Sequence, residues 1–260
     1  MTESADAPRY TKARRNRTFA LGAAAGAALM LGANLAIGAT ANSVSPQPAA
    51  TVTVTATPQQ NQPSDSAAQQ GIGIDMSRRI DGDPTAMGPA DAPVVMVAYA
   101  DYRCPFCSLF EQQTLPTIAA EFVAKGLVRY EFRDMPLFGQ QSVDAAVAGR
   151  AAGNQGKFWE FMSAVSANGV VEGGHPDLPR ERLIGFAEVA GVPDIAQFTA
   201  DLDDPALLAA VRADLAEGQK IGFSGVPAFL VGDIPVIGAQ PADVFRQAIN
   251  QELDQAGIVR

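Results

Sequence analysis

Cysteine and histidine are scarce in this chain. Its 260 residues contain two cysteines, Cys104 and Cys107, and one histidine, His175. So few cysteines cannot form the several cross-links of a disulfide-rich secreted scaffold. A mononuclear zinc or iron–sulfur centre needs about four soft ligands, which one copy of this chain does not supply. Both kinds of protein are therefore excluded, and we expect no metal.

Positive charge is also in short supply. Charged residues make up 18% of the chain, hydrophobic residues 47%, and the formal net charge is -9. Residues 1–17 carry a net charge of +3, so the remaining chain is more acidic than the total suggests. An acidic surface repels a phosphate backbone. We therefore expect a globular protein that does not bind nucleic acid.

A long apolar run is confined to the N-terminal part of the sequence. Residues 18–41, TFALGAAAGAALMLGANLAIGATA, carry no charge and are long enough to cross the ~30 Å core of a bilayer. Basic residues in 1–17 place the N-terminus in the cytoplasm by the positive-inside rule. We predict a cytoplasmic tail (1–17) and a transmembrane signal anchor (18–41). Ala39-Thr40-Ala41 also has the form of a signal-peptidase site, which makes a cleaved signal peptide and a secreted product the alternative.

The next segment, residues 42–74, is rich in Ser, Thr, Pro, Gln and Ala. It has too few large apolar side chains to offset the entropy of ordering, so we predict a disordered linker. The remainder, residues 75–260, suits a single domain.

Strand and helix signals in residues 75–260 predict an α/β domain. An apolar, β-branched run is typical of a buried strand, and proline is accepted in the first turn of a helix. Pro116 predicts a kink. The predicted elements are a strand at 93–100, a helix from Cys104 to Gly126, a strand at 127–136, an all-helical insertion at about 142–220, strands at 228–231 and 234–237, and a helix from Pro241. They form a mixed sheet with helices on both faces.

The two cysteines lie at the predicted turn from the first strand into the first helix, separated by Pro105 and Phe106. As a structural cross-link the pair would close almost no loop and stabilise little. A sulfur at a helix start faces unpaired N–H groups and the positive end of the helix dipole, which stabilise a thiolate. Cys107 lies one turn further, on the same face but deeper. The spacing predicts a redox pair in which Cys104 attacks and is attacked, and Cys107 resolves.

Three segments, ADYRCPFCSLFE (100–111), QGKFWEFM (155–162) and GVPA (225–228), together with the helical insertion, resemble the DsbA-like branch of the thioredoxin superfamily, which contains exported thiol-disulfide oxidoreductases. The resemblance covers residues 75–260. It implies a thioredoxin-like mixed sheet flanked by helices. Its most specific part is Asp101, Cys104, Pro105, Phe106 and Cys107 combined with Val226-Pro227.

The resemblance also implies roles for residues near the sulfurs. Pro227 would follow a cis peptide bond and pack beside the sulfurs, where the backbone of Val226 pairs with an incoming peptide. The alternative from the residues alone is a proline that opens an edge strand. Asp101 is interpreted either as a solvated cap or as a buried proton acceptor for Cys107.

Phe106 departs from the family pattern, because strongly oxidising members carry histidine at this position. One interpretation is a weaker oxidant, in which the helix start and a partly screened charge on Arg103 stabilise the thiolate. The other is an apolar contact for unfolded substrates. The sequence does not separate the two.

These observations predict an extracytoplasmic oxidase that introduces disulfides into reduced or unfolded exported proteins, without a cofactor and as a monomer. The resemblance implies a quinone-linked membrane protein that reoxidises it. One alternative is a reductase or isomerase of the same fold, although isomerases of this superfamily usually dimerise through an added N-terminal domain, which the linker does not provide. A non-enzymatic alternative is a copper chaperone that uses Cys104, Cys107 and His175.

Overall fold

The computed structural model describes residues 70–169 and 174–258. The predicted cytoplasmic tail (1–17), the predicted membrane anchor (18–41) and residues 42–69 of the predicted linker lie outside the described residues. Within the described ranges, every helix is too short or too polar to cross a bilayer.

A single mixed sheet organises the described part of the chain. Its strands are β1 (Ala86–Met87), β2 (Val94–Ala100), β3 (Val128–Asp134), β4 (Ala228–Val231) and β5 (Ile234–Ile237), in the order β1-β3-β2-β4-β5. β2 and β3 run parallel, and the other neighbouring pairs are antiparallel. The four longer strands confirm the predicted ones to within two residues at each end. β1 was not predicted, because two residues are too few to show a periodic pattern.

Helices account for most of the remaining described residues. They are α1 (Pro105–Gln113), α2 (Leu115–Ile118), α3 (Gln140–Asn154), α4 (Phe158–Ser166), α5 (Arg180–Val189), α6 (Ile195–Asp201), α7 (Pro205–Lys220) and α8 (Ala242–Gln255). A π-helical turn, Ala119–Val123, continues α2. The predicted kink is a break at Thr114, two residues before Pro116. The described residues between β3 and β4 contain helices and no strand, which confirms the predicted all-helical insertion.

Alternate side chains of β2 point to opposite faces of the sheet, and both faces are covered. On one face, Val97 and Tyr99 pack with Phe223 and with Leu215 of α7. On the other face, three rings hold α1 and α8 against β4. The ring centroids of Phe110, Phe229 and Phe245 lie 4.5, 4.9 and 5.2 Å apart, and all three side chains are buried. This cluster fixes α1, and hence the start of α1, against the sheet.

Charged side chains on β3 are buried rather than exposed. Glu131 accepts hydrogen bonds from the side chains of Arg129 and Arg133, both at 2.7 Å, and from the backbone N–H groups of Arg78 and Arg79 at 2.9 and 2.8 Å. Burial alone would raise the pKa of Glu131, but these hydrogen bonds outweigh it and lower the pKa to about 2. The alternating sequence of β3 therefore reflects an ion-paired face and not a solvated one.

A second group of ion pairs joins the helical insertion to the sheet. Asp214 of α7 is buried and pairs with Arg78 at 2.7 Å and with Arg150 of α3. Arg150 also contacts Asp134 at the end of β3, at 2.6 Å. The insertion is thus fastened to β3 by charges as well as by apolar contacts.

We predict that Glu131→Gln lowers the free energy of unfolding by about 3–5 kcal/mol, because it leaves buried arginines without their shared counter-charge. The depressed pKa of Glu131 means that its contribution is complete above pH ~5 and is lost as the pH falls toward 2. The difference between the variant and the wild type in urea unfolding should therefore shrink as the pH is lowered from 6 to 3.

Asp203→Asn is the matched control, because Asp203 pairs with Arg180 at 2.8 Å on the exposed surface. Asp203→Asn should lower the free energy of unfolding by less than about 1 kcal/mol. Equal losses for the two variants would contradict the assigned role of Glu131.

Candidate active site

The two cysteines lie at the start of α1, directly after the central strand β2. Cys104 is the N-cap residue, with φ -80° and ψ 118°, and Pro105 occupies the first helical position. The N–H of Cys104 donates a hydrogen bond to the carbonyl of Asp101 at 3.0 Å, which closes the turn between strand and helix. The helix begins at Pro105, as the sequence predicted. The backbone φ angle of proline suits the first helical position, and its nitrogen needs no hydrogen-bond partner there.

Both cysteines are free thiols and both are buried. Their exposed fractions are 2% for Cys104 and 4% for Cys107, so the expectation that Cys107 lies deeper is not seen in solvent exposure. The sulfurs differ in their contacts. The Cys104 thiol donates to the carbonyl of Val226 at 3.5 Å, and the Cys107 sulfur accepts from the N–H of Asp101 at 3.5 Å.

The pKa values of the two thiols are shifted in opposite directions. The pKa of Cys104 is lowered to about 7, chiefly by a hydrogen bond that the Cys107 thiol donates to its sulfur; burial opposes this, and the N–H groups of Cys107 and Phe106 add to it. Burial raises the pKa of Cys107 well above its usual value, and the hydrogen bond to Cys104 raises it further. Near neutral pH, Cys104 is therefore partly thiolate while Cys107 keeps its proton.

Pro227 follows a cis peptide bond from Val226. It immediately precedes β4, whose first residue, Ala228, pairs with Tyr99 near the end of β2. β4 lies between β2 and β5, so the alternative in which the proline opens an edge strand is wrong. Strand pairing brings the Val226-Pro227 bond to the cysteines.

Asp101 is 2% exposed, so its interpretation as a solvated cap is wrong. Its carboxylate accepts hydrogen bonds from the N–H groups of Arg103, Leu137 and Phe138 at 2.8, 2.7 and 3.3 Å. Burial raises the pKa of Asp101, and these hydrogen bonds oppose the rise. The carboxylate joins the active-site turn to the loop that follows β3, and that loop covers it.

Arg103 and His175 border the same turn. The guanidinium of Arg103 donates to the carbonyls of Pro176 at 2.8 Å and Phe138 at 2.5 Å. The ring of His175 stacks on Phe138 with 3.7 Å between centroids, and its Nδ1 lies 2.9 Å from the carbonyl oxygen of Arg103. The positive charge of Arg103 is thus engaged by loop carbonyls.

Potential metal ligands do not assemble at this turn. Across the described ranges, no group of three or more His, Cys, Asp or Glu side chains is arranged to hold a metal ion. The three-residue site that the copper-chaperone alternative requires is therefore not formed there.

Phe106 projects from the helix start with 64% of its surface exposed. It is an apolar side chain left in solvent beside a buried redox pair. Exposure at this position is compatible with the interpretation as a contact for unfolded polypeptide.

Glu111 was not predicted from the sequence to belong to this site. It lies four residues after Cys107 in α1, and the hydroxyl of Tyr130 donates to it at 3.4 Å. Burial raises its pKa to about 8, against the opposing hydrogen bond from Tyr130. The spacing of four residues from Cys107, on the face of α1 that carries Phe110, was the available signal.

Comparison with known proteins agrees with this geometry. The family model described as Thioredoxin matches residues 81–251. The chain is 30% identical over 173 residues to the "Probable disulfide bond formation protein D" of Bacillus anthracis, covering 65% of this chain and 77% of that protein. Among solved structures, oxidised BdbD from Bacillus subtilis has a TM-score of 0.61 and 24% identity, covering 73% of this chain and 99% of that one.

A different kind of protein shares part of the sequence. The chain is 35% identical over 144 residues to the Na(+)/H(+) antiporter NhaA of Herminiimonas arsenicoxydans, covering 55% of this chain. The matched region is 21% of the antiporter's own length. The family match of residues 81–251 contains the whole sheet, both cysteines and Pro227. With an acidic thiol at the start of α1 and a cis-proline facing it, this chain belongs to the thioredoxin family, in its DsbA-like branch of protein disulfide oxidoreductases.

Proposed function

We propose that this protein is an extracytoplasmic oxidase that introduces disulfide bonds into exported proteins through Cys104 and Cys107. The proposal is carried by one observation: at the start of α1, the pKa of Cys104 is lowered and that of the neighbouring Cys107 is raised. A sulfur with a pKa of about 7 is a good leaving group, so a mixed disulfide between Cys104 and a substrate reacts readily with a second substrate thiolate.

The reaction begins when a substrate thiolate attacks the sulfur of Cys104 in the Cys104–Cys107 disulfide. The sulfur–sulfur bond breaks, Cys107 leaves and takes up a proton, and a mixed disulfide joins the substrate to Cys104. A second substrate thiolate then attacks the substrate sulfur of the mixed disulfide and releases Cys104 as a thiolate. The substrate loses two electrons and the enzyme gains them.

The surroundings of Cys104 support docking of an extended polypeptide. The carbonyl of Val226 lies 3.5 Å from the Cys104 sulfur, and the cis bond turns the chain there. In the proposed complex, the backbone of Val226 pairs with the substrate next to its reactive cysteine, and Pro227 packs beside the mixed disulfide. Phe106, largely exposed, contributes an apolar contact, and Pro105 fixes the helix start.

The proposed location rests on the sequence. A basic segment (1–17) precedes an uncharged run (18–41) and a polar linker (42–74), an order that would hold the catalytic domain outside the cytoplasm on a membrane anchor. A quinone-linked membrane protein is the proposed reoxidant, reduced exported proteins are the proposed substrates, and the proposed enzyme acts as a monomer.

We predict that Cys107→Ala raises the pKa of Cys104 above 7, because it removes the thiol that contributes most to the lowered value. Cys107→Ser keeps a hydroxyl donor and should leave the pKa of Cys104 closer to that of the wild type. The rate of iodoacetamide alkylation of Cys104 in the reduced proteins, followed from pH 5 to 10, measures each value. Identical titrations for the alanine and serine variants would contradict the assigned hydrogen bond.

A trapping experiment tests the oxidase function. In cells, Cys107→Ala should accumulate mixed disulfides with exported proteins, and Cys104→Ser should form none, because the sulfur that bonds to the substrate is absent. Acid quenching and alkylation should find the wild type mainly as the disulfide. A wild type that is mainly dithiol in cells would instead indicate a reductase or isomerase.

A fusion experiment tests the location. A phosphatase reporter that is active only outside the cytoplasm, fused after residue 74, should be active, and deletion of 18–41 should abolish its activity. The mass of the mature N-terminus distinguishes an anchor from a cleaved signal peptide. Activity that survives the deletion would refute the proposed export.

A further inference from the structure

The side chain of Tyr102 reaches from the active-site turn into the helical insertion. Tyr102 lies two residues before Cys104, and its side chain is buried. Its ring packs against those of Phe132 in β3 and Phe161 in α4, with 5.9 and 6.1 Å between centroids. One aromatic side chain therefore joins the sheet, the insertion and the turn that leads to the reactive sulfur.

The hydroxyl of Tyr102 occupies a notch in α3 at Gly149. A β-carbon at position 149 would lie 2.0 Å from the hydroxyl oxygen and 2.8 Å from the ring carbon that bears it, which is too close for non-bonded atoms. Glycine is less favourable than alanine in a helix interior. Five other buried positions of α3 are alanines: Ala145, Ala146, Ala148, Ala151 and Ala152. The glycine at 149 is therefore explained by the space that Tyr102 fills.

Gly153, four residues later in the same helix, is not constrained in this way. A β-carbon at position 153 would lie 3.4 Å from Pro84 and 3.5 Å from Phe158, which are ordinary van der Waals distances. Gly153 is buried in α3, as Gly149 is. The two positions differ mainly in what faces them, so Gly153 is a matched control for Gly149.

The hydroxyl of Tyr102 is held by shape and not by a hydrogen bond. It is buried and has no hydrogen-bond partner among the described residues. Burial raises the pKa of Tyr102 well above its usual value; the charge on Asp134 raises it further, and the charge on Arg150 opposes the rise. Tyr102 therefore stays uncharged, and its position depends on the fit of its ring and hydroxyl against α3.

The turn that contains Tyr102 also holds the two sulfurs. The N–H of Cys104 donates to the carbonyl of Asp101 at 3.0 Å, and the N–H of Asp101 donates to the Cys107 sulfur at 3.5 Å. Because Tyr102 follows Asp101 directly, a shift of its side chain away from α3 would move the backbone that makes both contacts. The hydrogen bond between the sulfurs, which lowers the pKa of Cys104, depends on that backbone.

We propose that Tyr102, packed against Gly149, is a positioning residue through which the helical insertion holds Cys104 and Cys107 in their reactive arrangement. This inference rests on the proposed function, because it concerns how readily the same two sulfurs react. The two chain neighbours of Tyr102 are hydrogen-bonded to loops, and Tyr102 adds the contact with a helix. The insertion thus acts on the reactive sulfur without touching it.

The test is the rate of iodoacetamide alkylation of Cys104 in the reduced proteins between pH 5 and 10, followed by mass measurement. Gly149→Ala should displace Tyr102 and lower the rate at pH 6 by about threefold or more, because a higher pKa leaves less thiolate. Gly153→Ala should be alkylated at the wild-type rate. Circular dichroism and urea unfolding identify any variant that is not folded.

Substitution of Tyr102 should relieve the effect of Gly149→Ala in two steps. Tyr102→Phe removes the oxygen at 2.0 Å but keeps the ring carbon at 2.8 Å, so it should restore part of the lost rate. Tyr102→Leu removes both atoms, so Gly149→Ala should cause no further loss in that background. Alone, Tyr102→Phe should be alkylated nearly as the wild type is, because the hydroxyl makes no hydrogen bond. Tyr102→Leu alone should be slowed, because the ring that packs against α3 is lost.

A wild-type titration of Cys104 in folded Gly149→Ala, or equal losses in Gly149→Ala and Gly153→Ala, would overturn the inference. A loss that Tyr102→Leu does not relieve would also overturn it. If Gly149→Ala does not fold, the titration of Cys104 in Tyr102→Leu alone decides, and a wild-type result there rejects the inference. The oxidase function is judged separately, by whether the wild type oxidises a dithiol peptide.

Discussion

The hydrogen bond from the Cys107 thiol to the Cys104 sulfur is the interaction on which the chemistry depends. It makes one sulfur acidic, with a pKa of about 7, and in the same contact makes the other less acidic. This hydrogen bond forms only while both sulfurs stay close together at the start of α1. The fold ensures this, because the cluster of Phe110, Phe229 and Phe245 holds α1 to the sheet.

Two glutamates, Glu111 and Glu131, show how the environment of a carboxyl group sets its pKa. Glu131 is surrounded by arginines and backbone donors, and its pKa falls to about 2. Glu111 has no cationic partner among the described contacts, and its pKa rises to about 8. Tyr130, which contacts Glu111, and Glu131 are consecutive residues of β3, so their side chains point to opposite faces of the sheet. One face of β3 thus carries an ion-paired network, and the other carries Tyr130, whose hydroxyl donates to Glu111.

The helical insertion has two functions in the described structure. Through α3 and α7 it covers the charged face of β3 with paired carboxylates and arginines. Through α4 it supplies Met162 and Ser166, which line a small cavity next to Cys107 and also a larger groove between α1, α2 and α4. The insertion therefore shapes the environment of the resolving cysteine as well as the stability of the sheet.

The sequence by itself determined the order of the long strands and helices along the chain, the position of Pro105 at the helix start, and the placement of Cys104 and Cys107 one turn apart there. These are local patterns of period, turn chemistry and spacing, which adjacent residues encode. Tertiary structure decided the burial of Asp101, the hydrogen bonds from Arg103 to loop carbonyls, the burial of the charges on β3, and the cavity that Glu111 and Cys107 both line. These features depend on contacts between segments that are far apart in the chain. Such contacts bury a titratable group and give it hydrogen-bond partners, and both effects shift its pKa away from the usual value of its residue type.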